Sequence, residues 1–407
     1  MGTTIEDLET WVDEMMKKRE ITSYKIDVAG STSKGDGYLG EVNFLKVVAS
    51  LNEENEKVYN IVVKSANKSE KFRKNTPIQE AYYREMFMYT KVFPIFEEFQ
   101  REYAIETIFD KYAKCYSVCQ TDKKEALVLN NLKTDGFSVH NRTIPQNLNH
   151  VLFVFRNYGR LHGISLAMKV KKPALFKSMT KNMTNVLGQF IVQANMASSF
   201  VDNFKNARML FMKDGKEAIA NKLEDVEKKV EVILTNMFSD DLKEAVVLHG
   251  DCWNNNMMFK YKTEEDLQPI DMRFIDFQLS RVASPILDLS YYLYTCADKT
   301  VLQYFDILIR AYHDSLSNFL KQFDMNVDDI LPLDDLKDKW KTYGRFGLAL
   351  APFIIKVELC KSDEVVDIAS SVEKGDLKDA LKMGIKDQSE YERRVKDVLE
   401  HFAEKFL

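Results

Sequence analysis

The chain has 407 residues, 45% of them hydrophobic and 29% charged, which is the composition of an ordinary globular protein with length enough for two domains or lobes. Its net charge of −5 comes from 57 basic and 62 acidic residues mixed along the chain, which argues against a nucleic-acid partner, because phosphate backbones select concentrated Lys and Arg. The five cysteines contain no C-x-x-C pair, so neither a disulfide framework nor a zinc cluster is expected, and a reducing, cytoplasmic setting is.

At the amino terminus Met1 leads directly into charged residues without an apolar signal segment, and Glu6 breaks the pattern for myristoylation. Strand-like runs follow at 42–48, 59–64, 111–118 and 126–129, separated by polar turns. Between the second and third of them lies a helical stretch over 78–92, where Tyr82, Met86, Tyr89 and Phe93 recur at i, i+4, i+7 and i+11. From Leu132 onward the pattern turns helical, with stretches at 147–168, 187–204 and 216–237, interrupted by a strand-like pair at 257–260 and 272–275. The apolar-to-polar passage over 127–132 is the expected boundary, dividing an N-lobe of residues 1–131 from a C-lobe of residues 132–407. The longest apolar run, 346–355, is half the ~20 residues of a spanning helix and contains Pro352, so it reads as core, with no membrane insertion. No internal repeat is present, and a monomer is expected.

The most specific chemistry lies in two loops. His249-Gly250-Asp251 is followed by Asn256, five residues after the Asp, and the strand at 272–275 then delivers Asp276. In kinase-type phosphoryl transfer one Asp accepts the proton of the attacking hydroxyl, an Asn five residues later holds Mg²⁺, and a second Asp after a strand binds Mg²⁺ against the phosphates. That spacing makes Asp251 the candidate catalytic residue and Asn256 with Asp276 the candidate metal ligands. An exposed loop aspartate is the commoner fate of Asp, but an isolated Asp would not bring the matching Asn and the second Asp with it. Asn254 and Asn255 miss the offset and read as loop residues; His249 reads as structural packing beneath the loop.

Upstream, Gly35, Gly37 and Gly40 fit G-x-G-x-x-G and precede a strand instead of opening a helix, which is the kinase arrangement and not the dinucleotide one. An ordinary hairpin would also tolerate such glycines. Lys64, 24 residues after Gly40 at the end of an apolar strand, is either a snorkelling surface lysine or a phosphate grip. The second role needs a carboxylate. Glu80 and Glu85 both lie on the following helix but stand about 140° apart around its axis, so only one can face Lys64, and Glu85 is preferred.

These residues resemble the H-G-D-x-W-x-x-N-x-M-F block of the ecdysteroid kinase-like (choline kinase-like) family of insects, itself related to choline and aminoglycoside kinases. Tyr82-x-x-Glu85-x-x-x-Tyr89 before Pro94 resembles that family's F-x-x-E-x-x-x-Y-x-x-x-x-P segment, and Leu161-His162 its histidine helix, where a buried core role is expected for His162. The resemblance implies an α+β, two-lobe, protein-kinase-like fold, with ATP and Mg²⁺ as cofactors and a small-molecule hydroxyl as acceptor. An ecdysteroid or similar lipophilic alcohol is the implied substrate; choline or ethanolamine is the alternative, and an inactive kinase fold acting as a binding module the third. It also implies that the linker at Asn130 and Leu132 borders adenine. Asn130-Asn131 replaces the family's acidic pair, which puts a side-chain contact to ribose or substrate from there in doubt; Cys252 stands for an aliphatic residue and reads as a small hydrophobe. Asp288, in Pro285-x-x-Asp288, follows only twelve positions after Asp276, leaving no room for the activation segment that a protein substrate needs. The 17 methionines could line a lipophilic pocket, although core filling is their usual use.

Overall fold

The computed structural model describes residues 2–31, 39–50, 55–236, 242–263, 265–266, 268–360, 371 and 384–407. Gly35 and Gly37 lie outside them.

The N-terminal part is built on one antiparallel sheet of order β1-β2-β3-β5-β4, formed by β1 (Tyr24–Ser31), β2 (Gly40–Ser50), β3 (Glu56–Ala66), β4 (Cys115–Cys119) and β5 (Ala126–Asn130). Strand alternation decides which side chain faces where. On β3, Tyr59, Ile61 and Val63 are buried beneath helix α1 (Ile5–Lys17), so Val62 and Lys64 point to the opposite face. Thr4 caps α1 with a reciprocal capping box to Asp7, and Leu8, Trp11, Val12, Met15 and Met16 form its apolar stripe. Neither α1 nor β1 stands out in the sequence. β1 is an edge strand: Tyr24, Ile26 and Val28 alternate with Lys25 and Asp27, but the run is short and almost wholly exposed, with only Tyr24 and Ile26 resting against the core.

After α2 (Glu70–Asn75), the expected helix over 78–92 is α3 (Ile78–Phe87) followed by a π turn, Met88–Val92, running into α4 (Phe93–Glu102). Pro94 in the first turn of α4 has no N–H to give, and the π turn immediately before it absorbs the break in the hydrogen-bond ladder. The strand expected at 111–118 is shorter, beginning at Cys115, with an isolated bridge from Tyr112 to Phe274 ahead of it.

The remainder is mainly helical. Helix α5 (Leu148–Lys171) runs through the middle of the core. It is followed by α6 (Pro173–Thr180), α7 (Val186–Gln193), α8 (Ala197–Lys213), α9 (Glu217–Glu227) and α10 (Val230–Thr235). The helix expected over 187–204 is thus two helices, broken where Asn195 adopts φ of 53°, and the one expected over 216–237 is α9 and α10, divided at Lys228-Lys229. Four short strands frame the loops: β6 (Ser138–Val139), β7 (Val246–Val247), β8 (Met257–Tyr261) and β9 (Pro269–Phe274), with β10 (Val282–Ala283) pairing back to β7. The chain closes with α11 (Ile286–Cys296), α12 (Lys299–Leu302), α13 (Phe305–Lys321), α14 (Leu333–Tyr343), α15 (Arg345–Leu359) and α16 (Gln388–Phe406). The run at 346–355 is core, as expected, and no helix among the described residues is long and apolar enough to cross a membrane. Most described methionines that are buried fill the core, Met86, Met168 and Met272 among them.

Helices α5 and α13 touch closely because Gly159 has no side chain. A Cβ there would stand 2.7 Å from the Tyr312 carbonyl oxygen and 2.9 Å from the Leu316 nitrogen. Gly159→Ala should therefore destabilise the protein by up to about 2 kcal/mol, the cost of overpacking less the roughly 1 kcal/mol that alanine gains in a helix, and lower the thermal unfolding midpoint accordingly. A midpoint at or above that of the parent protein would mean that the interface can relax.

Candidate active site

Between the sheet and the helical part lies a cleft of about 820 Å³. Lys64 reaches it from β3, Glu85 from α3, Asp251 and Asn256 from the loop joining β7 to β8, and Asp276 from the loop after β9. Gly40 begins β2 at its rim, where a Cβ would meet the Ser65 carbonyl oxygen at 2.0 Å, so only glycine fits.

Lys64 Nζ donates to Glu85 Oε2 and to Asp276 Oδ1, each at 2.7 Å. Glu85 is 1% exposed, whereas Glu80 is on the outer face of α3. Burial works against the Lys64 ammonium, but Asp276 and Glu85 outweigh it and hold the lysine protonated well above its usual range. Burial also lifts the Glu85 carboxyl to about 7 despite the lysine beside it. Asp276 has φ of 66°, a left-handed conformation that costs a non-glycine residue about 1 kcal/mol or more and that aims its carboxylate at Lys64.

Both oxygens of Asp251 are occupied. Tyr291 Oη donates to Oδ1 at 3.0 Å and Asn256 Nδ2 to Oδ2 at 2.8 Å. Burial raises the Asp251 carboxyl, Asp276 adds to this, and Tyr291, Asn256 and Lys64 oppose it, leaving the group at about 7. Asn256 Nδ2 also donates to the Asp251 carbonyl oxygen at 3.0 Å, which fixes its amide with Oδ1 as the unused acceptor. That oxygen and the Asp276 carboxylate are the hard donors that Mg²⁺ takes from proteins, the remaining positions going to water and phosphate.

The loop carrying Asp251 hangs on Asp288 at the start of α11. Its Oδ2 accepts from the His249 backbone N–H at 2.7 Å and faces His162 Nε2 at 3.2 Å, and its Oδ1 accepts from the Gly250 N–H at 3.0 Å and from Cys252 Sγ at 3.1 Å. Burial would raise this carboxyl, but these donors win and hold it below the usual range. Gly250 has φ of 88°, and a Cβ there would stand 2.3 Å from the Leu279 carbonyl oxygen, which explains the glycine beside the aspartate. His249 is fully buried, with Nε2 against the Ile275 carbonyl oxygen at 2.9 Å and Nδ1 accepting from the Asp251 N–H at 3.2 Å. It thus splints the two loops together. Buried His162 also receives the Tyr312 hydroxyl at 3.2 Å. The Asn254 side chain is instead tied to Gln146 and to the His140 carbonyl oxygen, both at 2.6 Å.

Asn130 and Leu132 border the cleft. The Asn130 side chain turns to the linker itself, accepting from the Lys114 N–H at 2.5 Å and donating to Asp135 at 2.8 Å.

Three contributors were not legible from sequence. Tyr291 lies one helical turn after Asp288, a signal that becomes useful only when α11 is known to start under the loop. Arg84, beside Glu85, is buried without a carboxylate and donates to the carbonyl oxygens of Ser280, Thr184 (3.0 Å) and Asn182 (3.2 Å); burial lowers it to about 10. Buried Glu358 of α15 pairs with Arg394 of α16 at 2.8 Å, fastening the last helix to α15.

With this geometry, a sequence model of the ecdysteroid kinase-like family matches residues 34–325. The chain belongs to the ecdysteroid kinase-like family. It is a small-molecule kinase, a phosphotransferase with an alcohol group as acceptor. No curated protein matches it. Similar solved structures are the GDP complex of wild-type aminoglycoside 2′-phosphotransferase-IIIa (13% identity, 99% of this chain and 100% of that one, TM-score 0.34) and the GDP complex of a variant of it (10%, 92% and 95%, 0.42). A third is the apoenzyme of a macrolide 2′-phosphotransferase from Brachybacterium faecium (10%, 92% and 97%, 0.35).

Asp288→Asn offers a test of the anchor. Donors approach both carboxylate oxygens, so an amide must turn its NH₂ toward one pair of them, and the kinase should lose about 1.5–3 kcal/mol of stability, the range for hydrogen bonds to a charged group. Urea unfolding within 1 kcal/mol of the parent would show that the loop is held by something else.

Proposed function

We propose that this kinase transfers the γ-phosphoryl group of ATP to a hydroxyl of an ecdysteroid or similar lipophilic alcohol. The observation that carries the substrate class is the apolar lining of the cleft that also holds Asp251: Met196 from the turn between α7 and α8, Trp253, and Phe353, Ile354 and Val357 of α15. Among the described residues the carboxylates lining the cleft are Glu85, Asp251 and Asp276, all engaged with Lys64, Tyr291 or Asn256. A quaternary ammonium calls for a carboxylate beside its aromatic cage; an apolar wall without a spare one favours a neutral molecule. The intact set of Lys64, Asp251, Asn256 and Asp276 speaks against an inactive binding module.

In the proposed mechanism Asp251 orients the acceptor hydroxyl and takes its proton as the oxygen attacks phosphorus in line. Lys64, braced by Glu85, contacts the α- and β-phosphates, and the Gly35, Gly37 and Gly40 loop covers them. Asn256 and Asp276 would hold Mg²⁺, which neutralises phosphate charge when bound. The linker backbone at Asn130 and Leu132 borders adenine, and the lobes meet at 131/132, so that the cleft lies between them.

Mass spectrometry of products from ATP, Mg²⁺ and a panel of ecdysteroids, choline and ethanolamine tests the substrate. Phosphorylated ecdysteroid is expected; phosphocholine alone would overturn the lipophilic class. Asp251→Asn should keep ATP affinity while turnover falls about 10²- to 10⁴-fold, the range for a positioned general base. Because the base acts when ionised, kcat/KM should rise with pH and level off above about 7, where the free enzyme's Asp251 has lost its proton. A flat profile from pH 5 to 9 would exclude Asp251 as that base.

A further inference from the structure

Buried polar groups are nearly always hydrogen-bonded, so an exception calls for a cause. Among the described residues, the side chains with a buried and unpartnered polar atom include two that line the cleft, Tyr82 through its hydroxyl and Gln278 through its amide oxygen. The surroundings locate the first of them closely. Tyr82 lies on α3, three residues before Glu85 and on the same face, and its ring centroid is 5.8 Å from Lys64 Nζ. Its hydroxyl abuts Gly40 so nearly that a Cβ on that glycine would stand 2.3 Å away. The ring thus lies beside the lysine and its hydroxyl against the last glycine of the loop, the two groups assigned above to the phosphates.

We propose that the Tyr82 hydroxyl is a phosphate-binding donor, contributing a hydrogen bond to a phosphate oxygen of the bound nucleotide beside Lys64 and Gly40. The inference rests on the nucleotide reading of the cleft. A phenol is a donor as long as it keeps its proton, and burial pushes that of Tyr82 well up. A phosphate oxygen is the anionic acceptor that such a donor lacks in the free protein, and charge-assisted bonds are about twice as strong as neutral ones. The resembling family segment has Phe at this position, so the hydroxyl is not needed for the helix to pack; it is a feature of this chain added to a ring position.

Tyr82→Phe separates a ligand role from a structural one. It removes only the hydroxyl, and with no protein partner to strand, the thermal midpoint of the ligand-free variant should equal or exceed that of the parent. Calorimetric titration with MgATP should show affinity reduced about 10- to 100-fold, the span of a hydrogen bond to a charged group. Adenosine, which lacks phosphates, should bind both proteins alike. The proposal is overturned if MgATP affinity stays within twofold of the parent, if adenosine weakens as much as MgATP, or if the ligand-free midpoint falls, since that would reveal a protein partner. The parent titrated in parallel tells the two readings apart: failure of the parent itself to bind MgATP removes the nucleotide assignment, whereas a parent that binds and a variant that binds equally well removes only the role of Tyr82.

Discussion

One buried carboxylate holds the site in shape. Asp288, at the first turn of α11 and 1% exposed, gathers donors on both oxygens from the loop that carries Asp251 and from His162 of α5. A charge taken out of water is tolerable only when its lone pairs are satisfied. Any displacement of the loop would leave that anion short of partners, so the desolvation penalty itself enforces the loop's position. The geometry of Asp251, and through its hydrogen bond that of Asn256, follows from it.

A second constraint is the crowding of acids around one lysine. Glu85, Asp251 and Asp276 share the cleft with Lys64, and burial together with mutual repulsion lifts Glu85 and Asp251 to about 7. Tyr291 and Asn256 counter that rise on Asp251 by donating to its ionised form. The surplus of negative charge suits a site that is completed, on the proposed reading, by a divalent cation. It also explains why Lys64 holds two carboxylates at once: no other cation lies at that point among the described residues lining the cleft apart from Lys133, which is over the Phe44 ring.

Legibility in the sequence tracked the range of the interactions. The two loops could be recognised because their functional residues are a few positions apart and the backbone fixes their relation. Lys64 could be placed because strand alternation is local, and its partner narrowed to two glutamates because helix geometry is local too. The edge strand β1 and helix α1 are less legible, the first because its alternation spans only Tyr24 to Val28 and the second because its purpose is to cover a sheet assembled from residues beyond it. Breaks at Asn195 and at Lys228-Lys229 were missed because neither carries the Gly or Pro that usually announces one.

By itself the sequence determined which residues to propose for the chemistry, through the spacing from Asp251 to Asn256 and the strand leading to Asp276. Tertiary structure decided what surrounds them. That Glu85 and not Glu80 reaches Lys64 depends on how α3 rolls against the sheet. That Tyr291 and Asp288 grip the loop from one helix, 40 and 38 residues beyond Asp251 and Gly250, and that Met196 and Phe353 line the same cleft, depends on packing between segments with no fixed relation along the chain. Local geometry is dictated by covalent bonds and short-range sterics, whereas these contacts exist only after the core has closed.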